Sequence, residues 1–325
     1  MHCLLVGNYG DKNLGDEALR EAMLAFFPDV AWTVVSADPQ PEELPRLPAG
    51  IRSLCAGGWR RTLRAMRECD AVVFGGGTLF TDIESVRACF LWWLHVAVAT
   101  ALKRPVLLAF QGIGPFRTAL GEWLARDAIR RSMFLSVRDG ASRGRVDSWG
   151  LNKKIIQTFD PVFLLCHAKK SEERSKKVFV IIPRKNSGAP FLKTVRTLAA
   201  AEAWEAIHIV LLKPDDVYEQ NLAETLRGEF SQPTDIRPVR TLQELIESIA
   251  DATLVCTQRY HAAIAAIACE KHCIVVPQGD NDKLAELVPL LAAAPRDRTG
   301  PLLQAVDDGK QALDEALRTL PKENP

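Results

Sequence analysis

The sequence predicts an α/β protein of two doubly wound domains, and three observations carry that prediction. Short apolar, β-rich runs alternate with longer amphipathic ones from end to end. Strands that short and apolar, each followed by a helix, belong to parallel sheets buried on both faces. At about 100–200 residues per domain, the 325 residues make two. Finally, a charged run at 167–177 has no apolar face and interrupts the alternation, which then restarts.

In the first half, strands are expected at 3–6, 33–36, 71–74, 106–110, 133–137 and 154–157. Helical patterns lie between them near 15–26, 59–68, 86–102, 120–131 and 140–149. This defines an N-terminal domain over 1–166, with 167–177 as a solvated linker. The second domain, 178–300, has strands at 178–182, 207–212, 253–256 and 273–276. Its helices fall at 191–204, 217–227, 241–250, 259–268 and 282–291, and a last helix at 302–320 follows a Pro- and Arg-rich break within a C-terminal segment over 301–325. Two such halves place a ligand cleft at the carboxyl ends of both sheets.

Composition narrows the class. Apolar residues make up 47% and charged residues 25%, as in a folded globular chain. With 41 Lys and Arg against 40 Asp and Glu, there is no basic excess of the kind a nucleic-acid binder shows. The eight cysteines include no Cys-x-x-Cys pair and mostly sit in apolar runs, as reduced thiols in a cytoplasm do. No signal peptide is expected from 1–11, and the longest apolar stretch, 88–102, contains His95 and Thr100 and is too short to span a bilayer.

Chemistry concentrates at predicted strand ends. The first strand runs into Gly7-Asn8-Tyr9-Gly10-Asp11-Lys12-Asn13-Leu14-Gly15-Asp16-Glu17, where glycines bring backbone N–H groups close to a ligand. Asp16 and Glu17 fall in a helical first turn, where carboxylates also suit the dipole. The third strand is followed by Gly75-Gly76-Gly77-Thr78-Leu79-Phe80-Thr81-Asp82, and the fourth by Gln111-Gly112-Ile113-Gly114-Pro115. Three such loops at three strand ends outline a cleft floor made of backbone. Arg138, in Ser136-Val137-Arg138-Asp139, is expected at the same rim. In the second half, Thr257-Gln258-Arg259-Tyr260-His261 opens an Ala-rich helix whose N–H groups, with Arg259 and His261, form an anion pocket. Lys283 follows the next strand, and Arg184 the second domain's first strand. Arg60, Arg61, Arg64 and Arg67 form a stripe at helical spacing, read as a solvated face or as a contact for an anionic membrane.

Taken together, Gly10, Asn13-Leu14-Gly15-Asp16-Glu17, Gly75-Gly76-Gly77-Thr78-Leu79, Gln111-Gly112-Ile113-Gly114-Pro115, Ser136-Val137-Arg138-Asp139, Asp160-Pro161 and Arg259-Tyr260-His261 resemble the polysaccharide pyruvyl transferases. The order and spacing match over nearly the whole chain. The resemblance implies two Rossmann-like domains facing across a cleft, GT-B-like. It also implies transfer of the enolpyruvyl carbons of phosphoenolpyruvate onto two hydroxyls of a cell-envelope saccharide as a cyclic ketal. Arg138, His261 and Lys283 match donor-binding positions, with Arg259 in the adjoining Arg-x-His motif. Lys283 departs from the pattern, because the family's lysine follows an aromatic-Asp-Pro segment and this one follows 276–282.

Phosphoenolpyruvate carries a carboxylate and a phosphate on one carbon, so its pocket needs several cations. Protonating its methylene makes C2 electrophilic, and His261 is the natural acid. Asp16, Glu17 and Asp82 are candidate bases for the acceptor hydroxyl, with Asp16 favoured and helix capping its structural alternative. No resident cofactor and no metal is expected, since no motif has metal-ligand spacing. The expected partners are phosphoenolpyruvate and a saccharide, lipid-linked or free, in the cytoplasm or at the inner face of its membrane, without nucleic acid. A nucleotide-sugar glycosyltransferase and a non-catalytic binder of anionic sugars are the competing readings.

Overall fold

Parallel pairing dictates the topology of both sheets. The computed structural model describes residues 1–11, 13–55, 57–168, 177–279 and 282–320. In the first half, β1 (His2–Val6), β2 (Ala31–Ser36), β3 (Leu44–Pro45), β4 (Ala71–Phe80), β5 (Val106–Ile113), β6 (Phe134–Val137) and β7 (Ile156–Gln157) form one sheet ordered β3-β2-β1-β4-β5-β6-β7. Every pair in it is parallel. Its helices are α1 (Leu14–Phe26), α2 (Ile51–Cys55), α3 (Trp59–Glu68), α4 (Val86–Ala101), α5 (Ala119–Arg131) and α6 (Gly140–Ser148).

The second half opens with α7 (Val162–Ala168) and continues β8 (Val178–Ile182), α8 (Ala189–Ala201), β9 (Ala206–Leu211), α9 (Val217–Glu229), β10 (Thr234–Pro238), α10 (Leu242–Ala250), β11 (Leu254–Thr257), α11 (Tyr260–Ala268) and β12 (His272–Val275). These strands form a parallel sheet ordered β10-β9-β8-β11-β12. A 3-10 turn (Ala285–Leu287), α12 (Val288–Leu291) and α13 (Pro295–Arg318) close the chain. In both sheets the order reverses direction beside the first strand, between β1 and β4 and between β8 and β11. Such a switch point is where open α/β sheets hold ligands.

The chain divides into two units. One comprises Met1–Lys12, Asp16–Pro161 and Gln304–Pro325; the other comprises Asn13–Gly15 and Val162–Leu303. The expected boundaries at 166 and 301 therefore shift. Residues 162–166, expected in the first domain, form α7 together with 167 and 168 of the expected linker, and α7 packs on α11. The expected break near 301 is absent: α13 is continuous, with Pro301 inside it. Of the linker at 167–177, residues 169–176 lie outside the described residues. Residues 282–291 do not make one helix, because Pro289 has no N–H to donate and its ring crowds the preceding turn. β3 and β10 were not anticipated; β3 is two residues long, and β10, Thr-Asp-Ile-Arg-Pro, carries little apolar signal.

One apolar cluster in the first unit joins β1, β4 and β5 to Met66 of α3, Trp92 and Val96 of α4, Ala125 and Ile129 of α5 and Val146 of α6. These four helices therefore cover one side of the sheet. Removing an indole such as Trp92, 4% exposed, would cost about 3–5 kcal/mol. His95 on the same helix is fully buried yet satisfied: Nε2 accepts from the Leu47 N–H (3.0 Å), so Nδ1–H donates to the Leu91 carbonyl (2.8 Å). The second unit's core stacks Phe179 on Trp204, ring centroids 5.3 Å apart. Almost every residue of α11 is buried, and its alanines let neighbouring elements approach closely. Among the described residues no helix is long and apolar enough to cross a membrane.

Candidate active site

Two of the three glycine segments run largely within strands rather than in turns after them, whereas Gly7 and Gly10 lie in the turn after β1 as expected. Gly75, Gly76 and Gly77 lie within β4, and Gln111 and Gly112 within β5. The chain stays extended because Gly76 and Gly77 adopt φ of +91° and +90°, open to glycine alone at little cost, and the register with β5 shifts between Gly77 and Phe80. Across it, Gln111 Nε2 donates to the Phe74 and Ala109 carbonyls (3.1 and 2.8 Å). Where β5 breaks register with β6, Phe110 sits at φ 55°, and its N–H is taken by Ser136 Oγ (2.8 Å). Gly114 precedes a cis proline, Pro115. Much of the motif pattern thus builds a bulged sheet end tied together by Gln111 Nε2 and Ser136 Oγ.

Arg138 is not at a rim. Its side chain is buried, with Nη1 2.7 Å from Asp160 Oδ2 and Nη2 donating to Thr78 Oγ1 at 2.8 Å. Burial demands such partners for a guanidinium. The residue after it, Asp139, caps α6 by accepting from the Ser142 N–H (2.6 Å).

The three carboxylates divide. Asp82 accepts from the Arg117 and Thr118 N–H groups and the Thr118 hydroxyl (2.6, 2.8 and 2.5 Å). Burial raises its pKa, but those hydrogen bonds outweigh burial and hold the carboxyl below its usual range. Its task is to fix the turn before α5, which corrects the expectation of a base there. Glu17 accepts from the Gly10 N–H (2.8 Å) and pairs with Arg20 (3.1 Å). Asp16 is half-buried, and its Oδ2 accepts from Asn8 Nδ2 (2.9 Å). It does not cap α1, because Asn13 Oδ1 accepts the Gly15 N–H (3.2 Å). A methyl at Gly77 would stand 3.8 Å from Asp16 Oδ1, in ordinary contact with it. Two residues went unnoticed in the sequence. Tyr9 donates to the Gly75 carbonyl (3.3 Å), and Arg46 holds Asn8 Oδ1 and the Tyr9 carbonyl (3.1 and 2.9 Å).

In the second unit the loops after β8, β11 and β12 converge at the switch point. Arg259 is mostly buried. It pairs with the fully buried Glu219 of α9, and its Nε donates to the Pro183 carbonyl (3.2 Å). Burial, then the nearby Arg184 charge, push its pKa down to about 10, against a smaller upward pull from Asp216. Two guanidiniums are thus held against their mutual repulsion. Around them, Ser187 Oγ donates to Gln258 Oε1 (2.7 Å) and accepts from the Arg184 N–H (2.9 Å), while Arg184 Nη1 reaches Gln278 Oε1 (3.4 Å). His261 occupies the first turn of α11, edge-on to Tyr260. A Cβ at Gly15 would lie 1.8 Å from its Nδ1, so only glycine at 15 leaves the imidazole its place. The exposed Lys283 puts Nζ 5.0 Å above the Tyr260 ring. Asp280 and Asn281 before it lie outside the described residues. Among the described residues, no three His, Cys, Asp or Glu side chains gather as metal ligands do. The arrangement is suited to a polyanion next to a proton donor.

No curated protein matches this chain in sequence. Solved structures match its fold over nearly full length. The UDP-GlcNAc 2-epimerase from Neisseria meningitidis, solved bound to UDP-GlcNAc, has a TM-score of 0.61 over 98% of this chain and 100% of its own, at 12% identity. A putative UDP-N-acetylglucosamine 2-epimerase from Listeria monocytogenes gives 0.59 over 99% and 97%, at 13% identity. Anabaena Alr3699/HepE, in complex with UDP and glucose, gives 0.61 over 98% and 99%, at 13% identity. At such identities the likeness concerns fold, and with two parallel Rossmann-ordered sheets that fold is GT-B-like. The family model for polysaccharide pyruvyl transferase matches residues 13–280, most of the chain, and with Gly15, Asp160, Arg259 and His261 inside that span, the chain belongs to the polysaccharide pyruvyl transferase family.

Proposed function

We propose that this protein moves the enolpyruvyl carbons of phosphoenolpyruvate onto two hydroxyls of a saccharide, forming a pyruvate ketal and releasing phosphate. The observation that carries the reading is the Arg184–Arg259 pair beside His261 at the β8/β11 switch point. A phosphate with an adjacent carboxylate sets negative charge beside both guanidiniums, with Arg259 keeping its pair with Glu219. Lys283 supplies a third positive charge. Arg138, sealed against Asp160, holds the strand end in shape rather than touching the donor.

His261 delivers a proton to the methylene carbon, and C2 becomes electrophilic. A sugar hydroxyl adds to C2 and gives its proton to Asp16, which follows Gly15 in the chain. The C2–O bond to phosphate then breaks, and the second hydroxyl closes the ring. Of the two hydroxyl protons, one ends in the new methyl group and the other leaves with phosphate. The acceptor is a cell-envelope saccharide or its lipid-linked precursor, modified in the cytoplasm where phosphoenolpyruvate is available.

Incubation with phosphoenolpyruvate and a panel of saccharides tests this by phosphate release and product mass. The expected product is heavier by one pyruvate less one water. Stabilisation by nucleotide sugars, with no phosphate released from phosphoenolpyruvate by any acceptor, would replace this reading with a sugar-nucleotide enzyme.

A further inference from the structure

The first unit carries an apolar surface that the reaction does not use. Val86, Phe90 and Trp93 of α4 and Leu120, Trp123 and Leu124 of α5 line an open groove of about 510 Å³, with Arg87 the one charged residue among the described residues that line it. Phe90, Leu120 and Trp123 are 37%, 56% and 54% exposed. The rings run on from one another, Phe90 to Trp93 at 5.5 Å and Trp93 to Trp123 at 6.1 Å. Arg87 Nε donates to the Ala49 carbonyl (3.1 Å), which brings the groove beside α2, where Ile51 and Leu54 are also exposed. Apolar area gathered in this way marks a contact surface.

Its surroundings are cationic. α3 lies on the same side of the sheet as α4 and α5, since all three pack into one core. Its exposed residues include Arg60, Arg61, Arg64 and Arg67 against a single acid, Glu68, which pairs with Arg64. Arg126 and Arg130 are exposed on α5, where Asp127 is turned inward to Trp93 Nε1 (2.9 Å) as well as to Arg130. Glu84, before α4, is exposed, and Glu122 accepts from Trp149 Nε1 (2.7 Å). A second copy docked here about a twofold axis would set this arginine-rich layer against itself. Tryptophan, phenylalanine and leucine edged by arginine instead match an interfacial layer with anionic headgroups, into which rings insert while guanidiniums stay at the phosphates.

We propose that the outer face of α3, α4 and α5 docks on an anionic lipid bilayer. Co-sedimentation of the full chain with phosphatidylcholine vesicles, with and without phosphatidylglycerol, tests it. Binding is expected only with the anionic lipid and is expected to weaken as salt rises. The Phe90→Ser/Trp123→Ser variant should lose about tenfold or more in partitioning, and Arg60→Gln/Arg61→Gln/Arg67→Gln about a hundredfold. Urea midpoints close to wild type show that these variants fold. Equal binding to both vesicles, or wild-type binding by a folded serine variant, overturns the proposal. A wild-type dimer in sedimentation velocity that Trp123→Ser dissociates would assign the face to a second copy instead.

Discussion

Arg138 Nη1 stands 2.7 Å from Asp160 Oδ2, and the two side chains are 1% and 0% exposed. Twenty-two residues apart, they tie the end of β6 to the segment entering α7, while Thr78 joins from β4. Removing one partner strands a buried charge, which costs about 3–5 kcal/mol. Arg138→Met and Asp160→Asn should each lower the urea midpoint markedly, and Arg138→Met/Asp160→Leu should recover much of the loss. Arg138→Lys should also destabilise, since a point charge does not reach both Asp160 and Thr78. An Arg138→Lys variant of wild-type stability with a raised KM for phosphoenolpyruvate would return Arg138 to the donor site.

After burial, the Arg184 charge is the next influence against the charged form of Arg259, which pairs with Glu219, and Arg259 remains protonated at neutral pH despite its lowered pKa. Arg184→Gln should therefore raise the Tm of the unliganded protein by about 1 °C or more and raise the KM for phosphoenolpyruvate about tenfold or more. Inorganic phosphate should stabilise wild type and lose most of that effect in the variant. A variant that is neither more stable alone nor weaker for phosphate would show that Arg184 faces no anion.

How much of this was legible in the sequence depended on the kind of signal. Most strands and the longer helices announced themselves, because parallel strands such as Val178–Ile182 are apolar throughout and stand between amphipathic helices, whereas β3, β10, α2 and α7 did not. Roles at the site were harder. Gly75, Gly76 and Gly77 look like a turn, yet positive φ and a register shift keep them in β4. Arg138 and Asp82 look like solvent-facing functional groups, and their burial depends on Asp160 and Thr118, far away in sequence. Glu219 gave no local sign that it would meet Arg259. Spacing reports periodicity along one element, whereas pairing across elements depends on tertiary packing.

His95 links the core to pH. Burial lowers its pKa to about 4, with a smaller upward effect from the Leu91 carbonyl and a downward one from Arg46. Unfolded, it titrates near 6.5. The folded state therefore resists protonation: the contribution is complete above pH 6.5 and is lost as pH falls through 6.5 toward 4. The loss amounts to about 3 kcal/mol. His95→Gln should flatten the stability profile between those pH values, whatever its effect at pH 8. A wild-type slope in the variant would place the acid sensitivity elsewhere.

Turnover is expected to need no divalent metal. The carboxylates nearest the glycine segments are already engaged: Glu17 by Gly10 and Arg20, Asp82 by Arg117 and Thr118, and Asp16 by Asn8. Positive charge for the leaving phosphate comes from Arg184 and Arg259, and the bond that breaks is carbon–oxygen, so no attack at phosphorus has to be guided. Phosphate release should persist after exhaustive EDTA. Activity that disappears with chelator and returns with Mg²⁺ or Mn²⁺ would overturn this and favour sugar-nucleotide chemistry.

Gly15 and His261 form the sharpest test of the site. A Cβ at 15 would fall 1.8 Å from Nδ1 and 2.3 Å from Cε1 of the imidazole, a separation no packing tolerates, so Gly15→Ala must displace the ring. Alanine is the better helix former at the start of α1, so local propensity works in the opposite direction and does not explain a loss. His261→Ala should lower kcat by about 10²–10⁴ through loss of the acid, and Gly15→Ala should approach the same loss by misplacing it. In Gly15→Ala/His261→Ala the clash is gone, so the double variant should fold like wild type and be no slower than His261→Ala alone. That non-additivity is the signature of two residues acting through one imidazole. A Gly15→Ala enzyme of near wild-type kcat would mean that His261 need not hold this position during turnover, and additive losses would mean that Gly15 serves the reaction by another route.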